Sequence, residues 1–254
     1  MPEQIVFLLV AAFFAGLVDA MGGGGGLIQV PSLFSAMTHT APATLFGTNK
    51  LASIWGTAAA AVNYGQRVRL EWNTALPATF AAFVFAFCGA YTVTWLSGEL
   101  VRKLLPFVLV ALLVYTWRAS HLGLHHAPVH RGKKERVLAV GVGAAIGFYD
   151  GFFGPGTGSF LIFLFVRFFG FDFLRASAVS KVVNVACNMA ALLWFGYSGN
   201  VLWQLGLAMA AFNVAGSLLG SRLALRHGSQ LVRKVFLVVV GALILKSAYD
   251  AFLR

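Results

Sequence analysis

From Ile5 to Met21 the chain reads IVFLLVAAFFAGLVDAM, 17 residues with one charge, Asp19. Runs of this kind recur to the C-terminus, and they restrict the fold more than any other feature. About 20 predominantly apolar residues suffice for a helix to cross a bilayer. Charged residues make up 11% of the chain and hydrophobic residues 59%, whereas soluble domains carry about 25% charged residues. The sequence therefore predicts an all-α polytopic membrane protein. The net charge of +11 would suggest nucleic acid in a soluble protein. Here the positive residues fall between the apolar segments, as the positive-inside rule requires, so no nucleic-acid partner is expected. The first segment lacks the basic start of a signal peptide, since Glu3 is the only charge before it, and it is expected to be a retained span. Cys88 and Cys187 lie within apolar segments and show no zinc spacing.

Residues 21–31, MGGGGGLIQVP, place five glycines inside such a run. A partner for this break appears through an internal repeat. LFSAMTHTAPATLFGTNKLASIWGTAAAAVNYG aligns with VRFFGFDFLRASAVSKVVNVACNMAALLWFGYSG, matching Lys50 to Lys181, and LVRK occurs at 100–103 and again at 231–234. Both pairs are 131 residues apart. The glycines of MGGGGGLI face those of FFGPGTGSF within one residue of that offset. Landmarks in register imply duplication. Each unit reads as an apolar segment, a Gly-rich break, a second apolar segment and three further spans. The expected segments are 4–21, 25–37, 43–65, 73–96 and 101–118, then 137–152, 157–170, 174–198, 201–224 and 231–250. This divides the chain into a first membrane repeat at 1–120, a basic His-rich cytoplasmic linker at 121–135 and a second repeat at 136–254.

Loop charges decide the relative orientation. The loop at 66–72 holds Arg67 and Arg69, while its counterpart near 199 holds none; the loop at 38–42 holds none, while its counterpart holds Arg167 and Arg175. If each Gly-broken hairpin returns to its own side, one face collects these arginines with Arg118, Arg131, Lys133, Lys134, Arg136, Arg222, Arg226, Arg233 and Lys234. The other face keeps little beyond Arg102, Lys103 and Arg254. Only inverted repeats produce this segregation. Inverted repeats with interrupted helices are the pattern of secondary transporters, whose substrate site lies between the repeats.

Irregular backbone is tolerated at membrane depth where it lines a cavity or is buried in protein. A helix restarting after the break presents free N–H groups and a positive dipole end, which suits an anion. Gly22, Gly24 and Gly26 in the first break, and Gly154, Gly156 and Gly158 in the second, are the candidates; close helix packing is the competing explanation. Gln29 and Thr157 would add neutral hydrogen bonds. Lys50 and Lys181 lie inside spans, where a charge needs a partner or water. Three readings stand: contact with substrate across a central cavity, pairing with a carboxylate, or snorkelling to the nearer interface. Helical spacing sets Asn49, Ser53 and Thr57 on one face, and Ser177, Ser180, Asn184 and Asn188 on another. Asn49, Ser180 and Asn184, beside the lysines, are the cavity candidates. Asp19 and Asp150 precede the two breaks, one residue out of register in this alignment, and are the candidates for proton coupling.

GGGGGLIQVP…GTNK and GFYDGFFGPGTGSF…SKVVN together resemble the sulfite exporter TauE/SafE family, and the second string is similar to its YfcA-like branch. The resemblance covers nearly the whole chain. It implies a multi-pass permease of the bacterial inner (plasma) membrane for small anions, with export of sulfite, sulfonates or related sulfur compounds.

The expected function is secondary transport of such an anion by alternating access. An anion channel is the alternative within transport, and a membrane-embedded enzyme or assembly factor the alternative outside it. No H-E-x-x-H motif or Ser–His–Asp set occurs in the spans, so no enzyme is expected. His121, His125, His126 and His130 carry an i, i+4 spacing, but Pro128 and Gly132 interrupt it and neither cysteine nor carboxylate accompanies it; no metal or other cofactor is expected. The glycine run lacks the strand–helix context of a nucleotide site. The expected partners are a small anionic substrate and the lipid bilayer, and a homo-oligomer is compatible with the sequence.

Overall fold

The computed structural model describes residues 2–101, 103, 104, 107 and 129–252, with backbone alone for Pro2 and 228–252. The expected span 101–118 and the linker histidines His121, His125 and His126 fall largely outside these residues. The described residues form helices α1 (Pro2–Gly22), α2 (Gly25–Ala36), α3 (Pro42–Gly65), α4 (Trp72–Thr94), α5 (Lys133–Phe152), α6 (Thr157–Phe169), α7 (Phe173–Tyr197) and α8 (Trp203–Phe252). Among them α1, α4, α7 and the Trp203–His227 part of α8 are long and apolar enough to cross a membrane.

Local chemistry sets the boundaries. Pro42 opens α3, where its missing N–H costs nothing. Asp172 caps α7, its carboxylate accepting from the Arg175 N–H at 2.9 Å. Gly170 ends α6 in the left-handed conformation. One boundary departs from expectation: the spans 201–224 and 231–250 are a single 50-residue helix. The stretch LALRHGSQLVRK between them has no proline and one glycine, at a cost of about 1 kcal/mol against alanine, so helix propensity carries the backbone through.

Helix faces are sorted by size. On α4, Ala75, Ala78, Ala82 and Ala86 are buried while Leu76, Phe80 and Val84 face outward. Water would penalise such an apolar exterior, and lipid does not. The small residues allow backbones to touch. A Cβ on Gly143, Gly147 or Gly151 of α5 would strike the carbonyl oxygen of Ala78, Ala82 or Ala86 of α4. This four-residue ladder is close packing of the small-xxx-small kind. The contact between α1 and α8 reproduces it: Gly16 meets Asn213, and Gly216 and Gly220 meet Phe13 and Leu17. Gly16–Asn213 and Gly147–Ala82 are related by the 131-residue offset, as are Gly220–Leu17 and Gly89–Phe148. So α1 packs chiefly on α8, and its counterpart α5 on α4.

The helices α3 and α7 run antiparallel through the centre. Thr44 Oγ1, near the start of α3, donates to Asn200 Oδ1 just past the end of α7 at 3.2 Å. At the other end Ala60 and Tyr64 cluster with Ala178. The short helices fold back on their predecessors. A Cβ on Gly25 of α2 would run into Ala15 and Asp19 of α1, and the Tyr149 hydroxyl of α5 donates to the Pro155 carbonyl at 2.6 Å.

Candidate functional site

The two glycine breaks meet. Gly23 has φ of 78°, a conformation that glycine adopts freely and other residues rarely. A Cβ there would collide with the Gly158 backbone, and one on Gly158 would lie 2.6 Å from the Gly23 Cα. The crossing is latched by Ser159, whose hydroxyl donates to the Gly22 carbonyl at 2.9 Å and whose N–H donates to the Gly23 carbonyl at 3.2 Å. Glycine is thus required in both breaks for backbone contact, and the break itself places the N-termini of α2 and α6 side by side. First-turn amides have no acceptor within their own helix. Those of Leu27, Thr157 and Ser159 are taken by the carbonyls of Gly24, Gly154 and Gly23.

Both lysines are buried and paired, each with the aspartate of the other repeat unit. Lys50 Nζ lies 2.5 Å from Asp150 Oδ2, with both side chains 2% exposed. Lys181 Nζ lies 2.9 Å from Asp19 Oδ2, with the lysine fully buried and the aspartate 14% exposed; it also donates to the Asp19 backbone carbonyl. This burial excludes snorkelling for either lysine. The aspartates are also in register: Asp19 and Asp150 are 131 residues apart, the same offset as Lys50 and Lys181. The one-residue slip belongs to the glycine runs around them, not to the carboxylates. Gly154 makes room for one pair, since its Cβ would sit 3.0 Å from Lys50 Nζ. Thr57 Oγ1 reaches Asp19 Oδ2 at 3.4 Å in the other. Each lysine lies about 12 Å along its helix from the N-terminal end at 1.5 Å per residue, and α3 and α7 point in opposite directions.

Between the pairs lies a polar cavity. Asp19, Lys50 and Asp150 line it with Asn49, Ser53, Thr57, Asn184 and Asn188 from the central helices. Gly23, Gly25 and Gly26 of the first break, and Gly154, Gly156, Thr157 and Gly158 of the second, complete the wall. Of the residues expected from sequence, Gly22, Gly24, Gln29, Ser180 and Lys181 stand behind this lining. Gly22 accepts the Ser159 latch, Gly24 caps α2 and Lys181 holds Asp19. The space open to a water's centre is about 20 Å³, enough for a single water but not for a polyatomic oxyanion.

Asn213 also lines the cavity and was not singled out in the sequence, although it is the lone amide in LGLAMAAFNVAGSLLG. Its side-chain amide donates to Gln29 Oε1 at 3.0 Å and to the Ala12 carbonyl at 3.2 Å. Among the described residues, the buried polar atoms without a hydrogen-bond partner include Asn49 Oδ1 and Ser180 Oγ, each next to a lysine in the chain, and Gln29 Nε2. Asn49 and Ser180 occupy equivalent positions of the repeat.

Residues 8–247 match the family model described as sulfite exporter TauE/SafE. Among curated relatives, the probable membrane transporter protein ORF9 of Sinorhizobium sp is 35% identical, covering 97% of this chain and 93% of its own. The probable membrane transporter protein YfcA of Escherichia coli (strain K12) is 32% identical, covering 98% and 91%. A probable membrane transporter protein of Haemophilus influenzae is 31% identical, covering 98% and 96%. No solved structure matches.

Proposed function

Because the chain belongs to the sulfite exporter TauE/SafE family of membrane transporters, we propose that this multi-pass bacterial membrane protein carries a small anion, sulfite, an organosulfonate or a related sulfur anion, by alternating access. The observation that carries this reading is the polar cavity where both glycine breaks and both Lys–Asp pairs converge. Two helix N-termini supply positive potential without adding a charged side chain. Lys50 supplies an ammonium group in the wall, and Lys181 stands behind Asp19 as a second one that parting of its pair would uncover. The side-chain amides of Asn49 and Asn184 supply neutral donors, while the Thr157 hydroxyl already donates to the Gly154 carbonyl at 2.8 Å.

In this reading the repeats are inverted and the site lies on their pseudo-twofold axis near the bilayer midplane. The pairs Lys50–Asp150 and Lys181–Asp19 tie the repeats together across it. Opening toward one side parts one pair and leaves the other shut. A space sized for one water calls for a change of shape before an anion can enter, the step by which a carrier differs from a pore.

The test is flux into proteoliposomes with sulfite, thiosulfate, sulfate and a small sulfonate, comparing wild type with Lys50→Ala and Lys181→Ala. The expected result is saturable flux and counterflow for one of these anions, lost in either variant. Flux that neither saturates nor shows counterflow would indicate a channel. Flux unchanged in both variants would remove the lysines from the substrate path.

A further inference from the structure

Resting on the anion reading above, we propose that each Lys–Asp pair is a latch that a substrate anion opens only together with a proton, so that the carrier moves one proton with each negative charge in the same direction.

Charge must stay balanced in a buried interior. Lys50, Lys181, Asp19 and Asp150 sum to zero formal charge and already neutralise one another in two pairs. The rest of the cavity lining is neutral: glycines, Ser53, Thr57, Thr157 and four asparagines. An anion entering this space finds no free cation. To reach an ammonium it must displace a carboxylate, and that leaves one negative charge uncompensated where burial makes this unfavourable. Protonating the displaced carboxylate restores balance. An oxygen of the anion then faces the lysine Nζ, and the aspartate becomes a neutral carboxylic acid. A monovalent anion and one proton enter, and the site's charge stays zero.

The surroundings leave the aspartates as the groups that accept this proton. Facing Asp150 are Lys50 from α3 and Cys187 from α7, with Tyr149 beside it on α5. Facing Asp19 are Lys181 from α7 and Tyr64 from α3. Thiol and phenol are neutral in their ordinary states at pH 7 and carry no charge to trade. The displaced Asp19 keeps a partner in the Thr57 hydroxyl. The two latches also differ: Asp19 is 14% exposed and Asp150 2%. The Lys181–Asp19 latch is therefore the first to exchange from the state described here, and Lys50–Asp150 the second. The anion and its proton pass both in series.

The experiment uses wild-type protein in proteoliposomes with labelled methanesulfonate, which remains monovalent across the working pH range. Potassium and valinomycin clamp the membrane potential at zero. With the outside about one pH unit more acidic, coupled entry concentrates the anion about tenfold inside, since equal and opposite tenfold gradients balance. Accumulation that ignores the pH gradient and follows an imposed potential overturns the proposal while leaving anion transport intact. Replacing both carboxylates, Asp19→Asn with Asp150→Asn, removes both proton acceptors, and the double variant is expected to lose accumulation driven by the pH gradient. Accumulation that still follows the pH gradient in the folded double variant overturns the assignment to these carboxylates. If folded wild-type protein moves neither methanesulfonate nor sulfite, thiosulfate or sulfate, the anion reading falls and this proposal with it.

Discussion

Replacing Lys50 by methionine strands Asp150. The carboxylate is 2% exposed and its ammonium partner is 2.5 Å away, so the variant holds an unpaired charge beside a space that admits about one water. Breaking one half of a buried pair costs about 3–5 kcal/mol, whereas replacing both partners with apolar residues is neutral or favourable. For a chain of this size about 1 kcal/mol moves a melting temperature by about 2–4 °C. Lys50→Met is therefore expected to melt about 6–20 °C below wild type, and Lys50→Met with Asp150→Leu to recover most of that loss. The exposed pair Lys103–Glu99, at 71% and 78% exposure, supplies the control. Such pairs contribute about 0–1 kcal/mol, so Lys103→Met should stay within about 4 °C. The readout is thermal unfolding in detergent, followed by fluorescence-detected size exclusion. A single variant no less stable than the control, or a double variant as damaged as the single, would show that the pair is not a buried, mutually compensating unit.

The crossing of the breaks predicts that Gly23→Ala is destabilised by about 2–5 kcal/mol, a left-handed backbone penalty plus overpacking against Gly158. Gly199→Ala has a φ of 73° but open space around its Cβ, so it should show only the first part, about 1–2 kcal/mol; equal melting temperatures for the two would refute the steric argument. Removing the Ser159 latch by Ser159→Ala should cost about 1 kcal/mol, seen in the same melt. Asn49→Ala deletes a buried oxygen that has no partner, so stability should hold or rise by about 1 kcal/mol while anion flux falls; lower stability with unchanged flux would return Asn49 to a structural role.

The sequence announced its helices through apolar runs, and seven of the eight helix boundaries fall close to the expected segments. The eighth runs on through Arg222 and Arg226, because basic residues suggest a loop whereas none in this stretch stops a helix. At the site the lysines and aspartates were legible as buried charges, and their shared spacing was already in the numbering. What pattern could not give was the pairing. It depends on α1 lying against α8 and α5 against α4, and local periodicity reports a buried face without naming its partner. Asn213 escaped for a related reason: one amide in an apolar run acquires meaning only when packing sets it beside Gln29. Gly23 shows the converse. The glycine run was conspicuous, but which glycine mattered was decided by the opposite break crossing it.

The exchange of partners between the repeats bears on how the chain is made. The helix α1 leaves the ribosome before the other described helices, and its principal neighbour α8 begins only at Trp203. At about 5–20 residues per second that is a wait of roughly 10–40 s. Throughout that interval the Gly16 face of α1 has no mate in the bilayer. A chain stopped before Trp203 would lack that partner for the Gly16 face altogether.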